Sequence, residues 1–109
     1  DLFKAKPLFG WGIGNYREAS NMTLYSHNNY IELISTVGLT GLLLYYSLHI
    51  RILLRSMILF RKSKLQVLMV TLIIVILISD YAAPSYSTLF IHIFMTIALI
   101  YNEKIIMCK

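Results

Sequence analysis

Cysteine occurs once, at Cys108, so the chain can form no internal disulfide and no cysteine-based metal site. Charge is scarce too. Only 14% of the residues carry it, where a soluble domain carries about a quarter. The first residue is Asp1, and the N-terminus lacks the charged start, short apolar stretch and small-residue cleavage site of a signal peptide. The chain therefore reads as the C-terminal piece of a larger membrane protein. What is abundant is apolar surface: 58% of 109 residues are hydrophobic, with a mean hydropathy of +0.69. That much apolar surface on so short a chain cannot all be hidden in a water-soluble core, and lipid is its natural solvent.

Three apolar runs carry this surface. Residues 31–54 hold Glu32 near the start and His49 and Arg51 near the end. As one helix they extend about 36 Å, enough to cross a bilayer with some tilt. Residues 65–82 are rich in Leu, Ile and Val, with no charge before Asp80. Residues 86–106 form the third run, and Pro84 suits a tight turn before it. The expected fold is all-α: three transmembrane helices at about 31–54, 65–82 and 86–106, behind an extracytoplasmic loop or short interfacial helix at 1–30. Phe3, Phe9, Trp11, Tyr16, Tyr25 and Tyr30 punctuate that loop, and such aromatics favour the membrane–water boundary.

The basic residues set the expected orientation. Arg51, Arg55, Arg61, Lys62 and Lys64 surround the first link without an acid among them, and Lys104 and Lys109 mark the tail. Cytoplasmic loops collect Lys and Arg, so 55–64 and the C-terminus are expected inside, and 1–30 and 80–85 outside. No basic face on a soluble fold suggests nucleic acid as a partner.

The stretch His27-Asn28-Asn29-Tyr30-Ile31-Glu32 sits where the loop enters the first helix. Asn29 reads as its N-cap, with Glu32 at the third helical position completing an Asn version of the capping box. His27 then lies beside a helix N-terminus, whose free N–H groups suit a phosphate and hold an imidazole toward its neutral, basic form. The alternative is an interfacial histidine whose hydrogen bonds are met by loop backbone. Farther on, Ser35, Gly38 and Gly41 are spaced three apart and form a small-residue side for helix packing. The glycines of Pro7-Leu8-Phe9-Gly10-Trp11-Gly12-Ile13-Gly14-Asn15-Tyr16 do not read as a nucleotide loop, because no βαβ unit surrounds them. A turn that lets the chain hug the membrane surface fits better.

Taken in order, these motifs resemble the C-terminal region of the O-antigen ligase and O-antigen polymerase family. The resemblance rests on Pro7 to Tyr16, His27-Asn28-Asn29-Tyr30 and Gly38-Leu39-Thr40-Gly41, and it covers residues 7–48. Family members often carry an acid two positions before the first of these helix glycines, where this chain has Thr36. The resemblance implies a glycosyltransferase of the bacterial plasma membrane, without metal or cofactor, acting on the outer face. Its partners would be the lipid bilayer, a glycan donor on undecaprenyl pyrophosphate and an acceptor glycan. His27 would take the proton of the acceptor hydroxyl as that oxygen attacks the anomeric carbon and the lipid pyrophosphate leaves. Asn28 would belong to the same substrate site. Most of the arginines such enzymes use lie upstream, so these residues alone are expected to be inactive.

Three other residues invite a role. Arg17 either contacts the pyrophosphate or snorkels to lipid head groups. Asp80 reads as a solvated helix-end carboxylate, or as a group that orients His27 or binds an acceptor hydroxyl. His92 lies roughly 10 Å into the third helix, a depth at which an ionisable group is a functional candidate unless it makes an interhelical hydrogen bond. On a straight first helix His49 is about 33 Å from His27 and outside its site. Asn21-Met22-Thr23 matches a glycosylation sequon by chance. Two rival functions remain: a segment of a polysaccharide transporter or flippase, with His92 on its pathway, and a membrane-assembly module with no site at all.

Overall fold

A computed structural model of the chain describes residues 2–21, 23 and 26–107. The expectations for Tyr25, Met22 of the sequon, Cys108 and Lys109 lie outside the described residues. Helices α1 (Leu2–Ala5), α2 (Tyr16–Ser20), α3 (Asn29–Thr36), α4 (Gly38–Ile58), α5 (Lys64–Ser79) and α6 (Leu89–Met107) follow one another, with a 3₁₀ turn at Phe60–Lys62. Among the described residues there is no strand, and the fold is all-α as expected.

The first apolar run is not one helix. α3 ends at Thr36, Val37 leaves helical geometry with φ −114° and ψ 1°, and Gly38 takes φ +69°. The chain then folds back on itself. Asn29 and Tyr46 are 17 residues apart, yet the Asn29 amide donates to the Tyr46 hydroxyl at 3.0 Å. On a straight helix that spacing would separate them by about 26 Å. The Tyr30 and Tyr46 rings also stack at 4.8 Å. α3 therefore lies alongside the first half of α4, with the reversal at Val37–Gly38.

The start of α3 also differs from expectation by one residue. Asn28 is the N-cap, with extended backbone and its side chain accepting from Ile31 N at 3.1 Å. Glu32 is thus one position too late to close a capping box. It accepts instead from Ser26 N (3.4 Å) and the Tyr86 hydroxyl (3.0 Å). Replacing Asn28 by alanine should cost about 1 kcal/mol of stability, the usual value of an N-cap, read as a lower unfolding midpoint.

The second half of α4 forms a three-helix bundle with α5 and α6. Ser63 opens α5 by accepting from Leu65 N at 3.2 Å. Ile52, Met69, Ile73, Met95 and Ala98 make the buried core, with Leu53, Leu77, Phe94 and Leu99 packed on it. A polar rung crosses the lower bundle: Gln66 donates to Asn102 at 2.9 Å, and Asn102 donates to Ser56 at 3.0 Å, all three fully buried. Arg51 and Arg55 reach across to Glu103.

The link between α5 and α6 is longer than expected, covering residues 80–88. Before α6 the chain turns the Ser85 and Tyr86 N–H groups toward α3. Both donate to the Asn29 side-chain carbonyl, at 2.9 and 3.1 Å.

Among the described residues one helix, Leu89–Met107, is long and apolar enough to cross a membrane. At 16 residues α5 is apolar but extends only about 24 Å. The 21 residues of α4 suffice in length, but His49, Arg51 and Arg55 interrupt their apolar character.

Candidate functional site

Two of the three sequence motifs meet at the tip of the α3–α4 hairpin, and backbone chemistry explains why. A helix break strands the last carbonyls of α3 and the first N–H groups of α4. Residues 7–12 supply partners to both. Trp11 N donates to Ser35 O (3.0 Å) and Gly12 N to Thr36 O (2.7 Å), while Leu39 N and Thr40 N donate to Pro7 O (2.9 Å) and Leu8 O (3.3 Å). The Thr40 hydroxyl adds a 2.6 Å bond to Leu8 O. The glycine-rich segment thus plugs the tip of the α3–α4 hairpin.

This fit has no room for side chains at two points. A Cβ on Gly10 would lie 2.4 Å from the Thr36 carbonyl carbon, and one on Gly38 would lie 2.3 Å from Leu8 O. Gly38 and Gly41 were expected to admit a helix. What approaches Gly38 is loop backbone, and Gly41 lies against the Val37 side chain. Loop and hairpin are further tied by the Trp11 indole, which donates to Leu2 O at 3.1 Å and carries the Lys6 ammonium over its ring at 4.2 Å.

Beneath the hairpin lies a buried polar cluster around Asp80. The expectation of a solvated helix-end carboxylate does not hold, since Asp80 is fully buried. Its Oδ2 accepts from the Tyr46 hydroxyl (2.7 Å) and the Asn29 amide (3.1 Å), and its Oδ1 from the Ser85 hydroxyl. The Asp80 backbone carbonyl accepts from Asn29 N at 2.7 Å. A carboxylate is tolerated in such a place because several donors replace the water it has lost. These contacts bind α3, α4 and the 80–88 link together, and none of them involves His27. Tyr30 stands at the edge, donating to Leu77 O at 2.8 Å. Burial first, and the Asp80 charge second, push its phenol above the ordinary value, so Tyr30 is a neutral donor at neutral pH.

His27 sits at the apex of the turn that precedes α3, exposed and with φ +47°. Ser26 and Asn28 clasp this turn: Asn28 N donates to the Ser26 hydroxyl (3.2 Å), which donates to Asn28 O (2.8 Å). Among the described residues the His27 imidazole makes no hydrogen bond. Asn28 spends its side-chain oxygen on the helix cap. Arg17 lies exposed on α2. Between α1, α2 and α3 opens a 560 Å³ groove lined by Phe3, Tyr16, Ile31, Ile34 and Ser35 among others.

No family model matches the chain, and neither a curated protein nor a solved structure matches it. Of the residues singled out from sequence, the fold brings Asn28 and His27 to one rim and Asp80 under it. Arg17 stays apart on α2. No group of three or more His, Cys, Asp or Glu suited to a metal occurs among the described residues.

The histidines of the bundle have structural surroundings. The His92 Nε2 lies 2.6 Å from Tyr86 O, in the link preceding its own helix. His49 is buried, with Nδ1 3.0 Å from Tyr45 O and Nε2 unpartnered among the described residues. The straight-helix separation of His27 and His49 no longer applies, because the chain reverses between them. Sequence reasoning missed Tyr46, Ser85 and Tyr86 as parts of the cluster. Their only local signal is a polar side chain within or beside an apolar run.

Proposed function

We propose that this chain is the C-terminal part of a membrane glycosyltransferase of the O-antigen ligase or polymerase type, spanning the bilayer with α4, α5 and α6. One observation carries the reading: residues 7–12 and 36–41, which bear two of the three motifs of the resemblance, bond to each other at the hairpin tip, and the third, at 27–30, lies one short helix below them. Motifs with separate packing duties need not meet. The multi-pass reading is supported by helices that are apolar all round. Exposed Val75, Ile78, Ile93, Ile97 and Ile100 leave little polar surface on α5 and α6, the pattern of a helix in lipid. Arg51, Arg55, Arg61, Lys64 and Lys104 lie toward the opposite end, against Lys4, Lys6 and Arg17 at the motif end, and by this balance the positive-inside rule directs the motif end outward in a bacterial plasma membrane.

In this mechanism His27 is the general base. Its exposed imidazole takes the proton of an acceptor hydroxyl, and that oxygen attacks the anomeric carbon of a glycan on undecaprenyl pyrophosphate. The leaving group is already good, so a base, positioning and cations near the phosphates are what the enzyme must add. Arg17 is the arginine this chain offers on that side, and Asn28 acts by fixing the turn that presents His27. Asp80 supports the site from below. The transporter alternative rests on His92, whose bond to the Tyr86 carbonyl already gives it a structural duty.

His27→Ala in the full-length protein is expected to abolish long surface glycan and accumulate lipid-linked units, with expression and unfolding midpoint unchanged because His27 is exposed. His92→Ala is expected to leave glycan length intact. Normal glycan in His27→Ala would remove the base from the mechanism. Damage confined to His92→Ala would favour the transporter.

A further inference from the structure

The end opposite the motif cluster holds a second feature. Where α4 turns into α5, Met57, Ile58, Phe60, Arg61 and Val70 line a 430 Å³ pocket. Its apolar residues are poorly covered: Ile58 is 81% exposed, Met57 55% and Phe60 44%. The single charge in the lining is the Arg61 guanidinium. The chain has five acidic residues, Asp1, Glu18, Glu32, Asp80 and Glu103. Of the four that are described, only Glu103 lies at this end, and Arg51 and Arg55 already hold it. Arg61 has no ion pair among the described residues, and Lys64 at the start of α5 adds positive charge without an acid to meet it.

An apolar recess with one unpaired guanidinium in its wall complements an amphiphile that is negative at one end and hydrocarbon at the other. A free phosphate would leave the apolar floor in water, and an uncharged lipid would leave Arg61 unpaired. We propose that this corner is a binding site for an anionic phospholipid, with its phosphate on Arg61 and the start of an acyl chain against Met57, Ile58, Phe60 and Val70. The inference rests on the membrane-spanning reading above but not on the glycosyltransferase chemistry.

The test reconstitutes the whole chain into phosphatidylcholine bilayers containing a minor share of phosphatidylglycerol. Release into mild detergent and native mass spectrometry then count the two lipids retained per protein. The native chain should retain phosphatidylglycerol in clear excess over its share. Arg61→Gln and Ile58→Glu, both at exposed positions, should each cut that excess about fivefold. Lys104→Gln removes the same charge from the same end outside the pocket and should leave it unchanged. An equal loss in Lys104→Gln, or no loss in Arg61→Gln, overturns the site in favour of diffuse attraction. Insertion without any phosphatidylglycerol excess overturns the site alone, whereas failure to insert overturns the membrane reading and the site with it.

Discussion

Replacing Gly38 by alanine is expected to cost roughly 3–5 kcal/mol of stability, about as much as a severe core mutation. Two effects add. An L-residue with a side chain resists φ +69°, at about 1–2 kcal/mol. The new Cβ would also lie 2.3 Å from Leu8 O and 2.4 Å from Leu8 C. Those are backbone atoms, so the loop must withdraw. Withdrawal breaks the bonds from Leu39 N, Thr40 N and the Thr40 hydroxyl to Pro7 and Leu8. Gly14 is the comparison: its φ is +83°, but nothing lies within 4 Å of its would-be Cβ. Gly14→Ala should therefore show the conformational term alone, about 1–2 kcal/mol. Reversible unfolding in mixed micelles measures both. Equal losses in the two variants would mean that loop and hairpin are not in contact.

Asp80→Ala is expected to cost about 3–5 kcal/mol, the scale for removing one member of a buried charged network. The carboxylate is the common acceptor for Asn29, Tyr46 and Ser85. Its loss strands three donors away from water, each with its own desolvation penalty. Tyr46→Phe removes one donor and leaves two, so it should cost only about 1–2 kcal/mol. Because Asp80 holds the base of α3, Asp80→Ala should also loosen the rim that carries His27. Faster amide hydrogen exchange at residues 28–33 would register that. Unchanged exchange there with a large loss of global stability would separate Asp80 from the site.

Much of the helical content was legible from local chemistry. The apolar run expected over 65–82 is helical from Lys64 to Ser79, and Pro84 falls in the link it was expected to mark. The reversal at Val37–Gly38 was not legible. Residues 31–54 keep an apolar pattern throughout, and isolated glycines such as Gly38 and Gly41 are commonly tolerated within a helical pattern. What breaks this helix lies far away in sequence: the N–H and C=O groups of Pro7, Leu8, Trp11 and Gly12 replace the bonds that a continuous helix would make for itself.

The candidate site was legible in the same uneven way. His27-Asn28-Asn29-Tyr30 marks a helix start by type, but two adjacent asparagines share the cap's chemistry, and only the backbone of Asn28 suits it. Asn29, freed from capping, became the centre of the Asp80 cluster. Asp80 read as a surface carboxylate because its donors come from positions 29, 46 and 85, which no local pattern connects. Its burial follows from the same reversal, which returns Tyr46 to the level of Asn29.

The motif end, the Asp80 cluster and the presentation of His27 all depend on that reversal, so the most direct test is a distance. With Cys108→Ser as background, spin labels at Ile31→Cys and Ile50→Cys occupy positions that are 51% and 52% exposed. A straight helix puts those backbones about 28 Å apart, whereas the folded-back α3–α4 arrangement brings them to roughly half that. A distribution centred near the shorter distance in reconstituted protein is the predicted result. One centred near the straight-helix value would contradict the hairpin and the site built on it.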